Sequence, residues 1–159
     1  MRLSFVETMR GTVRDLHGDV HSIAFDVSAI GNSRDGHFAL RGLARAPHWA
    51  REAAAHGTLT IAPRERTITY VVRFRSEAGA ELLLDAQKRF SFFAPLRSMT
   101  LMPVTLRDAS GEVIARGEMM FDLRELVPFL ASWLPLIKAP QKRLDARRRA
   151  AVRALLRGA

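Results

Sequence analysis

The sequence predicts an all-β fold in which an antiparallel meander closes into a barrel, followed by C-terminal α-helices. About eight short segments before residue 123 alternate apolar with polar residues, as strands with one buried face do. Turn-forming residues separate these segments, and after residue 122 the apolar residues recur at helical spacing instead. A sandwich would also suit these strands. We favour an up-and-down, lipocalin-like barrel because successive hairpins lead to it directly and closure removes exposed sheet edges.

The N-terminal strands are predicted at residues 4–16, 22–30 and 38–44. A His-Gly-Asp turn at residues 17–19 joins the first two, and a loop at residues 31–36 leads into the third. The second strand has the clearest buried face, because it places four apolar side chains on one side: Ile23, Phe25, Val27 and Ala29.

A short helix is predicted next, at residues 47–56, because this segment is rich in alanine. Pro47 suits a helix start and Gly57 suits the position after its end. Hairpin turns are predicted around Gly79 and Gly111. Five further strands complete the meander, at residues 58–62, 67–75, 81–90, 98–107 and 112–121.

The chain divides into a predicted β-barrel domain at residues 1–122, an apolar capping helix at 123–137 and a basic amphipathic tail helix at 138–159. The net charge is +9, and the tail contributes +7 of it, from eight Lys or Arg against one Asp (8 − 1). The charge therefore belongs mainly to the tail. The capping helix would close one barrel end or form a dimer contact. We favour closure, which hides more apolar surface within one chain, and predict a monomer or weak dimer.

The tail helix has three interpretations: it lies on an anionic membrane surface, binds nucleic acid through phosphates, or extends into solvent. Residues 138–159 contain no aromatic side chain to stack on bases, which argues against nucleic acid. Trp133 beside the charges favours a membrane surface, because tryptophan prefers the interface. The predicted membrane or anion contacts are Trp133, Lys138, Lys142, Arg143, Arg147, Arg148, Arg149 and Arg153.

No segment is predicted to cross a membrane. The longest apolar stretch, at residues 127–137, has 11 residues and contains two prolines, whereas a spanning helix needs about 20. The N-terminus has no apolar run typical of a signal peptide. The chain has no cysteine, which excludes disulfides and thiolate metal sites. These features predict a cytoplasmic protein, or one at the membrane periphery.

Catalytic and metal-binding patterns are missing from the sequence, which holds no nucleophile-elbow, dinucleotide-binding or phosphate-loop motif. His17 and His21 flank a turn, so we interpret them as surface residues and not as metal ligands. We therefore predict that the protein is not an enzyme and has no metal or cofactor. Four carboxylates on predicted strands are interpreted as solvent-facing: Glu7, Asp26, Glu81 and Asp85.

Polar residues at strand positions among apolar ones predict a ligand site inside the barrel. Gln87, Lys88 and Thr100 would orient the polar end of a ligand, although these residues would equally suit outward positions. Soft, bulky side chains nearby would fill the core or line an adaptable apolar cavity. The predicted ligand-binding residues are Tyr70, Phe74, Gln87, Lys88, Phe90, Met99, Thr100, Met102 and Met119.

Several short stretches carry a family resemblance: FVETMRG at residues 5–11, GTLTI at 57–61, ITY at 68–70, Gln87-Lys88, SMT at 98–100 running into VTL at 104–106, Gly111-Glu112 and Phe121-Asp122-Leu123. Over about residues 4–134 the chain resembles the β-rich accessory domain that accompanies cholesterol-oxidase-like members of the GMC flavin oxidoreductases. The resemblance implies a non-catalytic module working near sterol or lipid chemistry. Because the chain has no flavin-binding fingerprint, the oxidoreductase would be a separate chain.

The predicted function is therefore a non-catalytic binding or accessory domain, for a lipid-like apolar ligand or for a lipid-handling enzyme. The alternative is a structural or interaction module with a packed barrel, whose cationic tail binds an anionic membrane surface or nucleic acid. The partners that these predictions imply are an apolar small molecule, a separate oxidoreductase chain and an anionic membrane surface.

Overall fold

The computed structural model describes residues 2–32, 34–89 and 101–121, which form eight antiparallel strands. The strands close into one barrel in which each strand pairs with its neighbours along the chain and the last pairs with the first. The predicted all-β class, up-and-down order and barrel closure are confirmed. The strands are β1 (Arg2–Asp15), β2 (Val20–Asn32), β3 (His37–Ala46), β4 (Ala50–Ala62), β5 (Thr67–Arg75), β6 (Glu81–Arg89), β7 (Leu101–Arg107) and β8 (Val113–Phe121).

Some of the predicted features lie outside the described residues. These are the helices at 123–137 and 138–159, the membrane contacts between Trp133 and Arg153, and the ligand residues Phe90, Met99 and Thr100. The described ranges contain no helix capable of spanning a membrane.

The prediction of a helix at residues 47–56 is wrong. Residues 47–49 form a turn, and β4 begins at Ala50. The helix preference of alanine amounts to less than about 1 kcal/mol per residue, whereas a strand here provides backbone hydrogen-bond partners for β3 and β5. Ala50 and Ala55 are buried, so alanine supplies small side chains to the barrel wall.

The pairing register sets the width of the barrel. Starting at Phe5 and moving from each residue to its pairing partner on the next strand, one circuit of the barrel returns to β1 at Asp15. Asp15 lies ten residues further along β1 than Phe5 (15 − 5). For eight strands, this stagger corresponds to a strand tilt of roughly 40°. Such a barrel has an interior just wide enough for side chains to fill or for one small ligand.

The two ends of the barrel carry different connections. The short-turn end, as we call it, holds the turns at residues 16–19, 47–49, 76–80 and 108–112. The N-terminal end, where β1 begins, holds the β2–β3 and β4–β5 turns and the last residue of β8, Phe121. Between the ends, alternate side chains of each strand point inward, and the largest fully buried ones are Tyr70, Phe25, Phe38 and Phe74.

Glycines at inward strand positions let the sheet curl. A Cβ atom at Gly42 would lie 1.9 Å from the carbonyl oxygen of Asp26, and one at Gly117 would lie 1.9 Å from that of Thr12. Neighbouring strands therefore approach each other closely at these points, where only glycine leaves room. Five strand glycines in the described residues share this property: Gly11, Gly31, Gly42, Gly57 and Gly117.

Candidate functional site

A carboxylate and a phenol meet inside the barrel. Glu7 is 2% exposed and Tyr70 is 1% exposed. The Tyr70 hydroxyl donates a hydrogen bond to the Glu7 carboxylate and lies 2.7 Å from both of its oxygens. Charged side chains are almost never fully buried unless they have partners, so this pair is the least ordinary feature of the described interior.

Strand alternation explains how Glu7 comes to face inward. Along β1 the inward positions include Glu7, Met9 and Val13, all of which are buried. The prediction of a solvent-facing Glu7 is therefore wrong. A signal was available in the sequence, because Glu7 shares its face with the apolar residues Phe5 and Met9 in the alternating segment.

The pair lies nearer the N-terminal end of the barrel than the short-turn end. Tyr70 is the fourth residue of β5, which begins at that end, and Phe121 is the last residue of β8, which finishes there. The Tyr70 and Phe121 rings pack 4.9 Å apart, centroid to centroid. The Phe121 ring therefore packs against the phenol of the pair on the side nearer the N-terminal end.

Burial changes the acidity of the phenol. Loss of solvation raises the pKa of Tyr70 well above its ordinary value of 10.0, and the negative charge and hydrogen bonding of Glu7 raise this pKa further. Tyr70 therefore stays protonated across the physiological range. It serves as a hydrogen-bond donor to Glu7, while its oxygen keeps the capacity to accept a bond.

The alkaline titration of Tyr70 can be observed directly, because it is the only tyrosine in the chain. The folded-state pKa lies above the unfolded value, so the stability that this proton provides is complete below about pH 10 and is lost as the pH rises further. We expect phenolate absorbance to stay absent at pH 10.5 to 11 (roughly one unit above the free value) in the native protein, and to appear near pH 10 in urea. Tyrosinate formation in the native protein near pH 10 would contradict the burial of this hydroxyl.

The other predicted ligand residues in the described ranges differ in whether they face the barrel interior. Phe74, Met102 and Met119 are buried at inward positions, as Tyr70 is. Lys88 occupies an inward position on β6, but its ammonium group donates to the backbone carbonyl of Leu101 at the barrel rim. Gln87 is exposed on the outer face, so its predicted place in the interior is wrong; the neighbouring Lys88 takes the inward position because side chains alternate.

The remaining carboxylates of the prediction lie on the outer face, as expected. Asp85 accepts a bond from Nε of Arg107 at 2.8 Å. Asp26 accepts a bond from the Thr8 hydroxyl at 2.9 Å and forms an ion pair with Arg45. Exposed pairs of this kind contribute roughly 0–1 kcal/mol each, so we assign them no functional role.

The interior pair has a limited chemical repertoire. A buried carboxylate accepts hydrogen bonds strongly, since its two oxygens offer about four acceptor sites in a medium of low polarity. Such a group can orient the hydroxyl or amine end of a molecule whose remainder is apolar. Among the described residues, side chains with metal-ligand chemistry come together elsewhere, at the short-turn end, where Asp15, His21 and His48 meet.

Comparisons of the chain with protein-family models, with curated protein sequences and with solved structures gave no match.

Proposed function

We propose that this chain is a non-catalytic binding protein whose barrel holds a lipid-like, largely apolar molecule, with Glu7 and Tyr70 engaging its single polar group. The observation that carries the proposal is the carboxylate–phenol pair, buried among the apolar side chains of the described interior. Small pockets that bind apolar ligands typically have this composition: apolar walls with a few polar groups that fix orientation.

Burial of a carboxylate opposes folding. Transferring an ionised carboxylate from water into a protein interior costs several kcal/mol, and its hydrogen bonds return only part of that cost. Replacing buried polar pairs by apolar residues of similar volume is often neutral or stabilising. A carboxylate inside a small barrel therefore supports a role in ligand recognition.

The hydrogen-bond pattern supports one kind of polar group on the ligand. Glu7 accepts and Tyr70 already donates to it, so the arrangement favours a ligand that brings its own donor, such as an alcohol. A sterol-like alcohol fits both this preference and the apolar walls. The resemblance to accessory domains of cholesterol-oxidase-like enzymes supports the same class of ligand, and a separate oxidoreductase chain remains the partner that we propose with it.

The test compares two fluorescent sterols that differ in one group, a 3-hydroxyl or a 3-ketone, by titration into the full chain. We expect saturable binding of the alcohol and weaker binding of the ketone. Glu7→Gln should weaken alcohol binding by roughly tenfold or more, because hydrogen bonds to charged groups contribute about 1.5–3 kcal/mol. Asp85→Asn, which changes a carboxylate on the outer face, should leave the Kd unchanged. Failure of both sterols to bind, or equal affinities of Glu7→Gln and the parent chain, would contradict the proposal.

The tail supports a second, separate prediction from the sequence. We retain three predictions from the sequence. They are the contact of Trp133 and the basic residues 138–153 with an anionic membrane surface, the cytoplasmic or membrane-peripheral location, and the monomeric or weakly dimeric state. Flotation with anionic liposomes, with and without residues 138–159, tests the membrane contact. Equal flotation of the two chains would contradict it.

A further inference from the structure

Three side chains with metal-ligand chemistry converge at the short-turn end of the barrel. Asp15 ends β1, His21 lies at the start of β2, and His48 lies in the β3–β4 turn. Oδ2 of Asp15 lies 2.7 Å from Nε2 of His21. The His21 and His48 rings are stacked, with centroids 3.8 Å apart. One ligand atom from each of the three residues falls within 4.8 Å of the others.

The backbone holds the carboxylate in place. Oδ1 of Asp15 accepts hydrogen bonds from the backbone N–H groups of His17, at 2.8 Å, and Asp19, at 3.0 Å. Because the β1–β2 turn occupies this oxygen, Oδ2 is the one directed at His21. The hydrogen bond from His21 lowers the pKa of Asp15 to about 2, so the group is a carboxylate anion at neutral pH.

The β3–β4 turn is also fixed. The backbone N–H of Trp49 donates to Ala46 at 2.8 Å, and its carbonyl accepts from Glu77 at 2.8 Å. The Trp49 ring lies 5.2 Å from His21 and 4.8 Å from His48, edge-on to both. The Trp49 ring therefore borders the two imidazoles on one side, and His48 is exposed to solvent.

We propose that Asp15, His21 and His48 form a binding site for a divalent transition-metal ion of the zinc type. Two imidazole nitrogens and one carboxylate oxygen are a common protein ligand set for such ions, and three protein ligands leave at least one position for water or another ligand. The hard ions Mg²⁺ and Ca²⁺ prefer all-oxygen ligands and fit this set poorly. The site lies at the opposite end of the barrel from Phe121, so it is independent of the proposed interior ligand.

Metal binding requires a local rearrangement that the structure permits. Two donors on one zinc ion lie at most about 4.2 Å apart, twice the usual bond length, and the metal lies in the plane of each imidazole ring. The 21° angle between the stacked rings must therefore open. His48 is exposed and sits in a turn, so its side chain can rotate without disturbing the core. His21 and Asp15 need only separate enough to admit the ion between them.

Calorimetric titration of Zn²⁺ into the full chain, prepared without a histidine tag, tests the proposal. We expect one ion to bind per chain. His48→Ala should weaken the affinity at least tenfold, because it removes one of three ligands. His17→Ala is the matched control, since His17 is an exposed histidine in the adjacent turn and is not part of the cluster. Its affinity should equal that of the parent chain.

A second measurement separates binding from folding effects. Thermal unfolding without metal should give His48→Ala and His17→Ala the melting temperature of the parent chain, and added Zn²⁺ should raise it in the parent chain and in His17→Ala but much less in His48→Ala. The Co²⁺ complex of the parent chain should show visible absorption of the tetrahedral or five-coordinate type, which His48→Ala should lose. No binding by the parent chain, or equal weakening by His17→Ala and His48→Ala, would overturn the assignment.

Discussion

We expect Tyr70→Phe to lower the free energy of unfolding by about 2 kcal/mol, a large effect for the removal of one oxygen atom. The substitution keeps the ring against Phe121 but takes the donor away from both oxygens of the buried Glu7 carboxylate. A charged group that loses a hydrogen bond in the interior keeps the full cost of its burial. Urea unfolding followed by circular dichroism measures the difference.

The double variant Glu7→Met/Tyr70→Phe distinguishes a functional pair from a structural one. It replaces both members of this pair by apolar groups of similar size, so we expect it to be more stable than Tyr70→Phe alone. The same double variant should lose sterol binding. A double variant less stable than Tyr70→Phe would mean that the carboxylate supports the fold, and the case for a ligand would lose its energetic argument.

Gly42→Ala should destabilise the barrel by about 3 kcal/mol, the upper part of the range for overpacking. The new methyl group would lie 1.9 Å from the carbonyl oxygen of Asp26, so β2 and β3 must separate to admit it. Gly117→Ala should have a similar effect at the β1–β8 seam, where its methyl group meets the carbonyl of Thr12. Chemical denaturation of both variants provides the measurement.

A neighbouring outward residue supplies the control for the glycine variants. Arg41 precedes Gly42 on β3 and is exposed, so Arg41→Ala should change the unfolding free energy by no more than about 0.5 kcal/mol. If Gly42→Ala proved as mild as Arg41→Ala, the close approach of β2 and β3 at Gly42 would not be needed for barrel closure.

Periodicity was sufficient to predict the strands, because strand alternation is a local property of the chain. The choice of a barrel over a sandwich depended on the order of the hairpins and on the removal of sheet edges. It failed at residues 47–56, where alanine favours a helix locally but the sheet needs a strand to complete its hydrogen bonding. The inward direction of Glu7 was predictable from its neighbours Phe5 and Met9, but the chemical expectation that carboxylates face water overrode the pattern.

Contacts between distant residues were beyond what periodicity can reveal. Tyr70 lies 63 residues from Glu7, and their pairing depends on the stagger of all eight strands. His17 and His21 flank one turn, and the sequence predicted both to be surface residues without a shared role. The partner of His21 in the structure is His48, which a different turn carries to the same end of the barrel.

The β1–β8 seam has a consequence for how the chain folds. Seven of the eight strand ladders join consecutive strands, which can zip together as local hairpins. The β1–β8 ladder instead joins residues such as Met9 and Phe121, which are 112 positions apart (121 − 9). Its formation costs the entropy of closing nearly the whole described chain into a loop. The last kinetic step is therefore expected to be the meeting of the first and last strands. Until that meeting, both strands expose pairing edges to neighbouring molecules, so newly made chains are most prone to aggregate in this interval.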